Sequence, residues 1–144
     1  MPAFDFEGRR YQNPVELAQD VVGGKWKMPI LWRLAQRTWR YSELRRELVG
    51  VSHKMLTQQL RELERHELLT RTVHPVVPPH VDYDITTLGR TTLPVIEALR
   101  VWGALYRRRR GGTRAHEQPP GPYTLNLKSS TSPSFTTYSL PSMR

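Results

Sequence analysis

Apolar positions recur every three or four residues up to about Leu69, alternate with polar ones through residue 86, return to helical spacing as far as Arg110, and then lose any period. The clearest stretch is residues 41–69, YSELRRELVGVSHKMLTQQLRELERHELL, which reads as two short amphipathic helices about a glycine-containing turn, the pattern of a helix-turn-helix. In its second helix Leu56, Leu60 and Leu63 stand at i, i+4 and i+7 on one stripe. His53, Lys54, Thr57, Gln58 and Arg61 are left on the opposite side. Ser52 occupies the N-cap position, where its hydroxyl can accept from an otherwise unpaired amide, and Gly50 permits the sharp turn before it. Leu44 and Leu48 face inward from the first helix.

Upstream, residues 1–12 mix charge with aromatics without a period and are expected to be a flexible arm. Asn13 as cap and Pro14 in the first turn predict a short helix over residues 15–22, stopped by Gly23 and Gly24. A second helix, with Trp26, Ile30, Leu31, Leu34 and Ala35 on its apolar face, is expected from about Lys25, because Pro29 is comfortable only near a first turn. A linker holding Trp39 leads into the helix-turn-helix.

Downstream, residues 70–74 and 81–86 are rich in β-branched and aromatic side chains, and they bracket PVVPPH, whose prolines can continue neither helix nor central strand. This predicts a two-stranded hairpin with a stiff tip, and a hairpin directly after a helix-turn-helix is a wing. Residues 87–110 read as one helix with Leu88, Leu93, Ile96, Leu99, Trp102, Leu105 and Tyr106 along it. It outlasts what one small core needs, so a second copy of the chain is the expected cover. Residues 111–144 turn to Gly, Pro, Ser and Thr and are expected to be a disordered tail, which makes residues 13–110 the single domain.

Charge narrows the partner. Among 144 residues, 22 Lys and Arg face 13 Asp and Glu, a net charge of +9 that points first to nucleic acid and second to an anionic membrane surface. No apolar run approaches the roughly 20 residues that span a bilayer, and MPAFDFEGRR lacks the apolar centre of a signal peptide, so a soluble cytoplasmic protein is expected. The chain has no cysteine, which removes disulfides, thiolate zinc sites and thiol redox sensing. No glycine-rich phosphate loop, nucleophile turn or paired carboxylates support catalysis, and no cofactor is expected.

The exposed face of the second helix can be no more than a solvated surface, but in a basic helix-turn-helix it suits DNA. Charge meets the backbone, and forked polar groups meet base edges. Lys25, Arg45 and Arg46 are candidates for phosphate contact, with His74 and His80 beside them on the wing. Lys27 and Arg37 are weaker candidates, and the run Arg107 to Arg110 either touches DNA or complements a helix C-terminus. His66, His74, His80, Asp82 and Asp84 carry metal-ligating groups, but their linear spacing fits no closed site and no metal is assigned. Trp26, Trp32, Trp39 and Trp102 read as core aromatics, with a pocket for an unidentified small-molecule effector as the other reading.

The runs GGKWKMPILWRL, YSELRREL and SHKMLTQQLRELE, followed by VPPHVDYDIT and LG, resemble the HxlR-type winged helix-turn-helix transcriptional regulators, a bacterial and archaeal group related to MarR-like regulators, over about residues 13–105. The resemblance implies a homodimer on a pseudo-palindromic operator, with residues 52–65 in the major groove and residues 75–80 on the flanking backbone. It also implies a dimer interface of N- and C-terminal helices, here Val15, Leu17, Ile96, Leu99, Trp102 and Leu105. Many similar members carry a cysteine before the proline that opens the first helix, and some sense oxidants through it. Asn13 stands there instead, so that role does not carry over. The tail has no counterpart in the family pattern.

The expectation is therefore a mainly α protein with a two-stranded β wing, a sequence-specific, dimeric, DNA-binding transcriptional regulator that represses and is not an enzyme. One alternative is a non-specific nucleic-acid-coating protein, which would bind random and operator DNA equally. Another is a winged-helix protein-interaction module, for which a face of Lys, Gln and Thr is ill suited because interfaces favour aromatic and apolar centres.

Overall fold

The computed structural model describes residues 1–111; the expected tail lies outside the described residues except for Gly111. The chain opens with a hairpin of β1 (Phe4–Phe6) and β2 (Arg9–Tyr11), a correction to the expected flexible arm. Glu7 and Gly8 both take positive φ, 48° and 76°, the backbone a tight hairpin turn requires. Phe4 stacks on Tyr11, which is buried and donates its hydroxyl to Asp20 Oδ2 at 3.1 Å, while Arg9 pairs with the same carboxylate. The hairpin is thereby docked on α1 (Pro14–Val22), whose cap Asn13 accepts from the amides of Val15 and Glu16.

Helix α2 (Lys27–Leu34) starts two residues later than about Lys25. Pro29 cannot donate to the Lys25 carbonyl, so the first helical bond is Ile30 N to Trp26 O, at 3.0 Å. Ile30, Leu31 and Leu34 are buried against Leu44 and Leu48 from the next helix and the leucines of the one after it.

The helix-turn-helix pairs α3 (Tyr41–Glu47) with α4 (His53–Arg65). Gly50 takes φ 87° in the turn, and Ser52 Oγ accepts from Met55 N at 3.0 Å. Helix α4 ends in a Schellman arrangement: Leu68 N donates to Leu63 O and Glu67 N to Glu64 O, with Glu67 at φ 59° where glycine is usual.

Strands β4 (Leu69–His74) and β5 (His80–Ile85) form the wing, in register from Leu69↔Ile85 to His74↔His80. A third strand, β3 (Trp39–Arg40), pairs with the other edge of β5, Trp39 opposite Tyr83, so the wing's root is three-stranded where two strands were expected. The single helix expected over residues 87–110 is broken into α5 (Thr87–Arg90) and α6 (Leu93–Arg109). Pro94 could not bond to the Arg90 carbonyl, and its ring would clash there. Thr91 and Thr92 fill the break, Thr92 Oγ1 donating to Gly89 O at 2.6 Å. Thr86 caps α5 by accepting from Gly89 N and donates to Glu67 O at 2.6 Å, which joins α5 to the end of α4.

Leu93 and Glu97 bury one side of α6. Glu97 accepts two bonds from Arg100, at 2.9 and 2.7 Å, and that guanidinium holds its carboxyl below the usual carboxylate range against the opposing effect of burial. No helix among the described residues is long and apolar enough to cross a membrane.

Candidate nucleic-acid interface

Leu56, Leu60 and Leu63 are at most 1 % exposed, which turns the other side of α4 outward. Lys54, Gln58 and Arg61 are exposed there, His53 is exposed at the first helical position, and Thr57 is half-buried. The expected division of the helix is thus present, but several outward groups have partners within the protein.

The hydroxyl of Tyr41, at the start of α3, bonds to His53 Nδ1 and reaches Thr57 Oγ1 at 3.4 Å, with the His53 ring edge-on to its own. His53 and Thr57 are therefore tied to α3. Tyr41 was not singled out from the sequence, where 12 and 16 residues separate it from these partners. Gln58 Nε2 donates to Glu62 Oε1 at 3.1 Å, and Glu62 Oε2 takes Lys27 Nζ at 2.7 Å. The Lys27 ammonium holds the Glu62 carboxyl below the usual range. Lys27 is 6 % exposed and is spent on this link between α2 and α4, so it faces no partner outside the chain.

Between α4 and the wing runs a cleft lined by Tyr41, His53, Thr57, Arg61, Arg71 and Tyr83, among others. Arg71, on β4, adds a second guanidinium that sequence reading missed. Burial pushes the Tyr83 phenol up, with Arg71 opposing. Arg45 and Arg46 are exposed on the last turn of α3 and line a shallow groove with Tyr41 and Ser42. Lys25 is exposed before α2, its ammonium 4.8 Å from the centre of the Trp26 ring.

The wing histidines come together across the hairpin. His74 and His80 stack with centroids 4.5 Å apart, and both present Nε2 to Asp82 Oδ2, at 3.0 and 3.7 Å. They are directed at an acid of the chain and converge where linear spacing suggested no closed site. His66 lies apart at the C-cap of α4, its pKa lowered by burial, and Asp84 accepts from Thr38.

Trp39 donates to Arg33 O at 2.8 Å beneath the Arg37 guanidinium, whereas Trp102 stacks on Tyr106 far along α6. Of the residues expected at a dimer face, Leu99, Trp102 and Leu105 are 46, 60 and 39 % exposed, and Val15 is exposed with Leu17 half-buried. Ile96 is partly buried and packs against the core.

The model of the HxlR-like helix-turn-helix family matches residues 21–110. The HTH-type transcriptional regulator YdeP of Bacillus subtilis is 44 % identical over 105 residues, 73 % of this chain and 79 % of that protein. The crystal structure of the HTH-type transcriptional regulator ytcD superposes with a TM-score of 0.63 at 42 % identity, over 67 % of this chain and 99 % of that one. The redox regulator HypR in its oxidized form gives 0.61 at 40 % identity, over 65 % and 96 %.

Proposed function

Because this chain belongs to the HxlR-like helix-turn-helix family and is a DNA-binding transcriptional regulator, not an enzyme, we propose that it acts in the cytoplasm as a homodimeric repressor on a pseudo-palindromic operator. Helix α4 enters the major groove. The observation that carries this reading is its outward face: Lys54, Gln58 and Arg61 lie exposed opposite three buried leucines, with Arg61 and Arg71 lining the cleft toward the wing. Gln58 and Arg61 read base edges. Ser52, His53, Lys54 and Thr57 stand at the helix start, where phosphate and the first bases meet, and Arg45, Arg46 and Lys25 take backbone phosphates.

Dimerisation is supported by Leu99, Trp102, Leu105 and Tyr106, an exposed stripe on the part of α6 beyond the buried Leu93 and Glu97, with Val15 and Leu17 of α1 completing the interface. A two-fold dimer sets the two α4 helices one DNA turn apart, which is why the operator is palindromic. Light scattering should give twice the chain mass, and Leu99→Glu should lower both mass and operator affinity; a monomer at micromolar concentration sinks this part.

The base-reading claim is tested by contrast. Gln58→Ala should cost roughly 1–3 kcal/mol on the operator and little on random DNA, whereas Arg45→Ala should weaken both and lower the salt slope by about one unit. Identical behaviour of the two variants on both DNAs would favour non-specific coating instead.

A further inference from the structure

We propose that His74, His80 and Asp82 form a binding site for one divalent transition-metal ion of the zinc type at the base of the wing tip. The inference does not depend on how the protein reads DNA. In the wing register His74 and His80 are direct cross-strand partners, and Asp82 follows two residues later on β5, so all three project from one face of the hairpin. Their ligand atoms all lie within 4.8 Å of one another. The two Nε2 to Oδ2 distances, 3.0 and 3.7 Å, bracket the edge of a tetrahedron, roughly 3.3 Å, set by metal–ligand bonds of about 2.0–2.1 Å.

The competing reading is a plain histidine–aspartate hydrogen bond, and two observations weigh against it as a full account. Both imidazoles present Nε2 to the same carboxylate oxygen, which brings three donor atoms to one point as a single ion requires. The other oxygen, Oδ1, is buried and has no hydrogen-bond partner; Arg40, across from Asp82 on β3, comes only to 3.9 Å of it. A buried polar atom left unpaired is costly. A divalent ion would take one lone pair from each neutral imidazole at Nε2 and the negative charge of the acid at Oδ2.

The donor set names the ion class. Imidazole nitrogen with one carboxylate suits zinc, cobalt, nickel or ferrous iron, whereas calcium and magnesium want oxygen throughout and softer ions want thiolate, which this chain lacks. Three protein ligands leave a coordination position open to water or another oxygen donor. All three residues are only partly buried, so the ion has a route in. Because two ligands close the hairpin from opposite strands, the ion would clip the ends of residues 75–79 together.

The test uses the full chain without an affinity tag, stripped with chelator and titrated with Co2+ by visible absorbance and with Zn2+ by calorimetry. One ion per chain is expected, with visible Co2+ bands of a four-coordinate site. Asp82→Asn, which keeps the side-chain shape, and His80→Ala should each cost more than the roughly 10- to 100-fold that changes outside a ligand shell cost. His66→Ala should leave uptake unchanged. No stoichiometric uptake by the parent protein overturns the proposal, as does uptake retained by the His74→Ala, His80→Ala double variant, since the ion would then sit elsewhere. If a histidine variant fails to fold by circular dichroism, Asp82→Asn decides: unchanged affinity there is a refutation.

Discussion

Replacing Gly89 with alanine sets two effects of opposite sign against each other. By helix propensity alone the change should stabilise α5, by up to about 1 kcal/mol. The packing says otherwise. A Cβ on Gly89 would lie 2.1 Å from the Leu68 carbonyl oxygen, 2.7 Å from Ile85 Cγ1 and 3.0 Å from the Leu68 carbonyl carbon. The nearest atom is backbone, and that same carbonyl accepts from Thr86 N at 3.1 Å, so it cannot retreat without disturbing the joint between α4, the wing and α5. Overpacking of this kind costs typically about 1–3 kcal/mol, and a weakened hydrogen bond adds about 1. After subtracting the propensity gain, a net loss of about 2 kcal/mol is expected, a fall in melting temperature of roughly 8–16 °C for a domain of this size. Thermal and urea unfolding at one fixed protein concentration measure it, because the midpoint of any self-associating chain moves with concentration. Gly89→Ala melting at or above the parent temperature would show that the close approach is not a constraint.

Three further outcomes are expected. Glu67→Gly should stabilise the fold by about 1 kcal/mol, because φ 59° costs a side-chain-bearing residue roughly that much; a lowered urea midpoint would count against the Schellman reading. Glu97 and Glu62 hold their protons less tightly folded than unfolded, through Arg100 and Lys27 respectively. Their stabilisation is therefore complete above the unfolded carboxylate value of about 4.3 and is lost as pH falls through the folded value, so Glu97→Gln should be less stable at pH 7 and the gap should close in acid. Diamide should leave DNA binding unchanged by gel shift, since no cysteine exists to react; a loss of binding would point to methionine chemistry.

What could be read from the sequence was what local rules govern. The stripe of Leu56, Leu60 and Leu63, the Ser52 cap and the alternation in β4 and β5 each depend on neighbours a few residues away, and each appears in the structure. Strand β3 has only two residues, too few for any period, and exists because β5 offers it an edge some forty positions later. The N-terminal hairpin rests on Glu7 adopting a backbone conformation that its residue type disfavours. Pro94 did announce the break before α6, but the apolar spacing on either side masked it. The site was legible as a face and illegible as a network: Tyr41 to His53, Lys27 to Glu62 and the meeting of His74, His80 and Asp82 all join residues whose proximity is set by tertiary packing or strand register.

The two sides of α4 also bear on how such a protein can change over generations. Its anchoring leucines are almost fully buried, while Lys54, Met55 and Arg61 lie outside the core. Exchanges at exposed positions usually alter stability by less than about 0.5 kcal/mol. New outward chemistry can therefore be tried at these sites one residue at a time, each intermediate still folding. His53, Thr57 and Gln58 are less free, being bonded to Tyr41 or Glu62, and would drift together with those partners. Retargeting should begin at the unbonded positions and reach the bonded ones later, in pairs.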